Sequence, residues 1–415
     1  MILQLNCKNF KSIREPIKFS MVAHKDDSMS SQLIQYNDKI KVLKEALIYG
    51  ANSAGKTNIL SAFGYMQHLV ISCILFQEGD NILHPSHKLE EKNPTCIDIQ
   101  FVYNNNRYLY GFEVNSVYVS KEYLYHYPNQ RQAKIFEREG ETYTFGDSFK
   151  KEFQEIQQTK TKQNRLFLST LASWTSRSEV IEPFIFFKEM IVTNHNNAIL
   201  STWWEYTVDT MIEDRARKQQ IINIFKSMGI KIDDILVKRE EVKVSEDSLP
   251  TSMPEEFKKM LLTNKAVSRD VKFQYSTMKL DLREESLGTQ KLFDLIGPII
   301  DILDKGKIFI LDELETSLHL ALAKEIIKMF NDPKINKNNA QLICSTHDVN
   351  LLDLTLLRRD QIWFAEKNWD TYSTKIYSLS DVKNVRKDEN IERGYLLGKY
   401  GGIPELKDMR VLFDE

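Results

Sequence analysis

The chain is poor in the residues that punctuate or cross-link a fold. Of 415 residues, 15 are glycine and 10 are proline, too few for long low-complexity linkers. The four cysteines, Cys7, Cys73, Cys96 and Cys344, form no Cys-x-x-Cys pair. That argues against a disulfide framework or a thiolate zinc site and for a reducing compartment. Charge of one sign is also lacking: 56 Lys and Arg stand against 58 Asp and Glu, a formal net charge of −2. No global pull toward nucleic acid or membrane follows, so nucleic acid is an allowed but unindicated partner. The opening, MILQLNCKNFKSI, lacks the charged segment and apolar core of a signal peptide, and the apolar run near LVISCILF is too short to span a bilayer. A cytoplasmic protein without a membrane partner is expected. No Asp-x-Asp occurs, and no heptad pattern is sustained. What remains is an ordinary balance, 42% apolar and 27% charged, long enough for two or three domain-sized units.

The most informative stretch is ALIYGANSAGKTNIL. An apolar strand, Ala46 to Tyr49, runs into Gly50, Ala51, Asn52, Ser53, Ala54, Gly55, Lys56 and Thr57, with Asn58 opening an apolar-patterned helix. This is Gly-x4-Gly-Lys-Thr in the strand–loop–helix setting of a phosphate loop. The glycines let the backbone close around a phosphate, and loop N–H groups and the helix N-terminus supply donors and positive potential. Lys56 is expected on the β- and γ-phosphates of a bound nucleotide, and the Thr57 hydroxyl on Mg2+.

A second acidic motif follows only 255 residues after Thr57. In KIFILDELETSLH, a buried strand ends in Asp312 and Glu313. Asp312 is expected to hold Mg2+ and Glu313 to act as general base on the attacking water. Further on, AQLICSTHDVNLL ends another apolar strand at His347, placed to hydrogen-bond a γ-phosphate. Such strand ends line ligand crevices in α/β sheets. Between the two halves, EESLGTQ puts Ser286, Gly288 and Thr289 at the start of a helical run, a second anion-binding helix N-terminus.

The order of these four motifs resembles that of the ABC-type ATPases. The resemblance implies an α/β P-loop fold with an antiparallel β subdomain and a helical insertion. It also implies a head-to-tail homodimer in which Ser286, Gly288 and Thr289 of one protomer cover the ATP held by the other, a pair that closes with twofold symmetry. The opening strand and Asn9-Phe10-Lys11-Ser12 are similar to the SMC/RecF/OLD branch. The absent heptads exclude a coiled-coil arm, and the absent Asp-x-Asp argues against an OLD-type nuclease domain. The segment 357–406 resembles the C-terminal part of bacterial ATPases of the RloA and AbiL kind, with PARIS-type ATPases as relatives. This implies the ATPase half of a phage-defence system, with a separately encoded effector such as an RloB-type or TOPRIM nuclease and a phage trigger protein. Two alternatives stay open: a nucleotide-bound scaffold caging an effector with little hydrolysis, and a RecF-like DNA-repair ATPase.

The expected division is an N-terminal ATPase lobe over 1–147, a helical insertion over 148–268, a C-terminal ATPase lobe over 269–380 and a tail over 381–415. Residues 95–145 alternate like antiparallel strands, with NNN as a turn. The glutamine that ABC-type sites use stays open among Gln67, Gln100 and Gln163. His319 is either an interface contact or helix surface. Trp203 and Trp204 divide between core and interface. His84 and His87 read as a loop, the basic run 150–165 as a solvated face, and Arg386, Lys387 and Arg393 as salt-bridged surface.

Overall fold

The computed structural model describes residues 1–26, 28–194, 203–243, 265–386 and 389–403. They fall into two compact units. The first holds Met1–Asn196, Ile302–Glu315 and Ile326–Glu415; the second holds Asn197–Asp301 and Thr316–Glu325.

The first unit is built on two sheets. Strands β1 (Ile2–Lys8) and β2 (Ile17–Ser20) precede a short hairpin, β3 (Ile34–Gln35) and β4 (Lys41–Val42), and then β5 (Glu45–Tyr49). After the helix Lys56–Ser72 come β6 (Thr95–Tyr103), β7 (Asn106–Val114), β8 (Val119–His126), β9 (Ala133–Glu139) and β10 (Thr142–Phe145). These five extend β1 and β2 into a seven-stranded antiparallel sheet, ordered β10-β9-β8-β7-β6-β1-β2. Inward and outward residues alternate along β6, as the sequence pattern requires of a half-buried strand. The expected turn lies between β6 and β7: Asn104 and Asn105 adopt φ of 48° and 63°, left-handed values that match the twist of a tight hairpin and that asparagine tolerates.

The other sheet carries the site. Its order is β11 (Ile191–Asn194), β15 (Ile308–Leu311), β16 (Gln341–Ser345), β5, β17 (Ile362–Asn368) and β18 (Ser373–Ser378). All neighbours are parallel except the last pair. Every residue of β5, β15 and β16 is buried, which explains why these strands read as continuous apolar runs. Each enclosed Ile or Leu contributes about 1.5–3 kcal/mol. The helix Lys56–Ser72 packs Ile59, Leu60, Phe63, Met66 and Leu69 into the same core. With its extension to Leu75 it is apolar and long enough to cross a membrane, but 61% of that window is buried inside the protein. The tail packs on this sheet through Tyr395 and Tyr400, stacked on Phe364 at 5.4 and 5.9 Å between centroids.

One polar side chain joins the two sheets. Gln341, fully buried on β16, accepts from the Ile2 N–H at 2.6 Å and donates to the carbonyls of Ile2 and Leu43 at 3.1 and 2.9 Å. Gln341→Leu strands those backbone groups in the core. A loss of about 1–3 kcal/mol is expected, read as a lower urea midpoint at constant slope. An unmoved midpoint would refute this bridging role.

In the second unit, β12 (Asp234–Lys243), β13 (Lys265–Tyr275) and β14 (Met278–Asp281) form an antiparallel meander. The helices Trp203–Glu213 and Arg215–Ser227 accompany it, the latter capped by Asp214, whose carboxylate accepts from Ala216 N and Arg217 N. Phe225, Phe273 and Phe293 form a ring cluster 5.6 to 6.4 Å apart. Trp203 and Trp204 are half-buried, and the Trp204 N–H donates to Asp294 at 2.9 Å.

The arrangement is the expected ABC-type α/β fold, with a phosphate-loop sheet, an antiparallel sheet and helices between them. The segment 148–268 is less helical than its sequence pattern predicts. It includes β11, β12 and the start of β13. DILVKREEVK carries charge on a half-exposed ribbon, a pattern easily read as an amphipathic helix, while β11 owes its strand form to pairing with β15. The two compact units group residues differently from a division at 147, 268 and 380.

Candidate functional site

The phosphate loop leaves β5 at Gly50 and enters the helix at Lys56. Gly50 and Gly55 have φ of 154° and 100°. A Cβ at Gly50 would collide with the Ala365 carbonyl oxygen, and one at Gly55 with Thr374 Oγ1, so both positions require glycine for space as well as conformation. Asn52 and Ser53 are exposed on the loop, and Ala54 is buried beneath it. Lys56 is 6% exposed and turned into the loop: Nζ donates to the carbonyls of Gly50 at 2.8 Å and Ala51 at 3.2 Å.

The second and third motifs converge on this loop from neighbouring strand ends. Thr57 Oγ1 donates to Asp312 Oδ2 at 2.7 Å, and Ser345 Oγ donates to the other Asp312 oxygen. Glu313 follows with φ of 52°, a left-handed turn that carries the chain off β15; its N–H donates to Ser345 Oγ at 2.8 Å. Non-glycine residues held there cost on the order of 1 kcal/mol and cluster at functional sites. His347 Nδ1 lies 3.4 Å from Lys56 Nζ. Burial first, and then the Lys56 charge, hold the imidazole below its ordinary pKa. An ammonium can only donate, so in this contact Nδ1 is the acceptor. Burial also lowers the pKa of Lys56, opposed by Asp312, Glu315 and Glu313.

These groups line one cavity of about 590 Å3, bounded by Asn52, Ser53, Gly55, Lys56, Thr57, Asn58, Asp312, Glu313 and His347 together with Ser12 and Lys367. The hard oxygens of Thr57 and Asp312 fit Mg2+, which takes one or two protein oxygens and completes its shell with phosphate and water.

Several site residues lie outside the sequence motifs. Thr374 Oγ1 donates to the Ala54 carbonyl at 2.9 Å and lies 2.8 Å from Ser12 Oγ, which accepts from Asn58 Nδ2 at 2.7 Å. Ser12 and Thr374 thus brace the phosphate loop from two distant parts of the chain. Lys367, on the cavity wall, is another, while Ser345 and Glu315 support the site from within the two strand-end stretches themselves. The NFKS signal at Ser12 was visible in the sequence; nothing local marks Thr374.

The Ser-x-Gly segment belongs to the second unit. Ser286 precedes the helix Leu287–Lys305, and its Oγ accepts from Thr289 N at 3.2 Å. Ser286 and Leu287 are exposed, Gly288 half-buried and Thr289 buried. A Cβ at Gly288 would lie 3.0 Å from the Ser317 carbonyl oxygen.

None of the three glutamines lines the cavity. Gln67 Nε2 holds the carbonyls of Phe187 and Ile191, Gln100 accepts from Arg107, and the Gln163 carbonyl accepts from Arg138. His87 staples its loop to Asn9 and to the Tyr372 carbonyl. Among the described residues, no group of three or more His, Cys, Asp or Glu side chains forms a metal cage. His319 Nδ1 accepts from Ala321 N, a local cap at the start of a helix. In the basic run, the helix Lys150–Lys160 buries Phe153 and Ile156, leaving its lysines outward. Arg386 and Arg393 are exposed, and Lys387 lies outside the described residues.

Compared with solved structures, the chain is similar to the SMC head domain from Thermotoga maritima, with 13% identity, 91% of this chain and 98% of that one covered, and a TM-score of 0.41. It is also similar to the Smc head domain with an extended coiled coil bound to the C-terminal domain of ScpA, derived from Pyrococcus furiosus, with 12% identity, 96% and 98% covered, and a TM-score of 0.38. No curated protein sequence matches. A family model described as AAA domain, putative AbiEii toxin, Type IV TA system, matches residues 46–353, a span running from β5 through the phosphate loop, Ser286, Asp312 and His347. The chain is therefore a member of that AAA family of ATPases.

Proposed function

We propose that the chain binds and hydrolyses Mg-ATP as a homodimer or higher oligomer, and that its nucleotide state controls a separately encoded, nuclease-like effector in bacterial antiphage defence. The observation that carries the catalytic part is the convergence of Lys56, Thr57, Asp312, Glu313 and His347 on a single cavity. In this reading Lys56 binds the β- and γ-phosphate oxygens, and Thr57 and Asp312 hold Mg2+, which neutralises phosphate charge when bound. Water attacks the γ-phosphorus, the bond to the ADP oxygen breaks, and Glu313 takes the water proton. The Nε2 N–H of His347 donates to a γ-phosphate oxygen.

Ser286, Gly288 and Thr289 act across a head-to-tail dimer, presenting the first turn of their helix to the partner's γ-phosphate. ATP at about 100-fold over Kd adds roughly 2.7 kcal/mol per site to the bound state. Two sites then approach the ~5.5 kcal/mol that converts a 1:99 mixture into 99:1. The effector role is supported by the toxin-related description of the family and by the resemblance of the tail to defence ATPases. An RloB-type or TOPRIM protein is the expected class of effector.

Native mass spectrometry of the chain purified from its own operon, with and without Mg-ATP, tests this. A homo-oligomer that carries a neighbouring gene product under nucleotide control is expected. A chain that dimerises on ATP but never carries such a product would refute the effector role.

A further inference from the structure

Glu315 stands three residues beyond Asp312 and does not itself line the phosphate cavity. Its Oε1 accepts the backbone N–H of His347. Its Oε2 is enclosed, with no hydrogen-bond partner among the described residues.

The surrounding backbone explains why one bond matters. β16 is held on both sides by β15 and β5, and the Thr346 N–H still reaches the Ile48 carbonyl at 3.1 Å. The segment after β15 is pinned to the same strand, with Glu313 N on Ser345 Oγ at 2.8 Å and Leu314 N on the Ser345 carbonyl at 3.1 Å. At His347 the sheet pairing has ended, and the peptide N–H is held by the Glu315 carboxylate instead. The anchor is therefore built on a segment fixed to β16, and it reaches the residue whose ring faces Lys56.

We propose that Glu315 is a positioning residue for His347: its carboxylate fixes the peptide from which the imidazole projects into the phosphate cavity. This rests on the ATPase reading above. The role belongs to the acceptor oxygen, and general-base work stays with Glu313.

The test compares Glu315→Ala, His347→Ala, the double variant and Glu315→Gln in the full chain. Steady-state ATP turnover is measured beside equilibrium binding of a fluorescent ATP analogue. Glu315→Ala is expected to lower kcat about 10-fold, with binding changed by less than about 3-fold. The double variant should match His347→Ala within about 2-fold, because both changes remove one unit. Glu315→Gln keeps an acceptor and should return kcat to within about 3-fold of the parent. Multiplicative losses in the double variant, an unchanged Glu315→Ala, or a Gln variant as poor as Ala would each overturn the proposal.

A readout independent of turnover separates this from failure of the ATPase reading. In chain labelled with 15N at its eight histidines, the His347 amide should be the one displaced upfield in the proton dimension by Glu315→Ala. If the parent chain hydrolyses no ATP, the ATPase reading fails while the amide shift still decides the contact. An unmoved His347 amide overturns the contact.

Discussion

Glu313→Gln is expected to preserve nucleotide binding while lowering ATP turnover by about 10²- to 10⁴-fold, the usual loss on removing a positioned general base. The amide matches the carboxylate in shape, so the left-handed turn at residue 313 and the N–H bond to Ser345 Oγ survive the change. What is lost is the capacity to take a proton from water at the cavity wall. Lys56, Thr57 and Asp312 are untouched, and ATP affinity should stay within a few-fold. With hydrolysis blocked, the ATP-bound dimer should accumulate, visible by native mass spectrometry at Mg-ATP concentrations where the parent chain is mostly monomeric. Turnover near the parent rate would remove Glu313 from the role of base. A variant that neither hydrolyses nor accumulates ATP-bound dimer would contradict the link between nucleotide and assembly.

The second large effect is expected at Lys56, and it falls on binding. Its Nζ is enclosed by the loop it serves, 2.8 and 3.2 Å from the carbonyls of Gly50 and Ala51. A charged hydrogen bond contributes about 1.5–3 kcal/mol, so Lys56→Ala should weaken Mg-ATP binding about 10- to 150-fold in calorimetric titration. Turnover should vanish with it, because the same ammonium offsets charge on the transferred phosphoryl group. Lys56→Arg is not expected to restore either. A planar guanidinium cannot pack between the two loop carbonyls at a site this buried. Unchanged affinity in Lys56→Ala would place the nucleotide elsewhere.

The contrast between these residues and the ones the sequence concealed has a physical basis. Gly50 to Thr57, Asp312-Glu313 and His347 are legible because each is short and follows an apolar strand whose burial places its end in the crevice. Thr374 carries no such mark. It reaches the loop only because β17 pairs with β5 and the β17–β18 hairpin returns Thr374 to Ala54 and Ser12. Gln341 likewise reads as a polar strand start, and its value as a bridge appears only once Ile2 and Leu43 stand beside it. Glu315 sits within a recognisable motif, but its bond to the His347 peptide spans two strands. The antiparallel strands of 95–145 were legible from alternation, because half their residues face water. The strands β11 and β12 were not, since one depends on a partner far along the chain and the other carries charge on both faces. The start of the helix Leu287–Lys305 followed from Ser286 as an N-terminal cap, and one chain does not contain the partner on which its proposed role depends.

The most direct test of the central claim, a composite ATP site shared by two protomers, is a mixing experiment. Lys56→Ala disables the phosphate loop. Gly288→Asp puts negative charge where the partner's γ-phosphate would meet the helix, and an aspartate in a first turn is compatible with helix stability. Each variant alone is expected to show almost no ATP turnover. Mixed in equal amounts, half of the dimers become mixed, and each mixed dimer holds one site with both parts intact. Turnover should therefore recover to about a quarter of the parent rate. No recovery on mixing, or normal turnover by Gly288→Asp alone, would contradict the shared site.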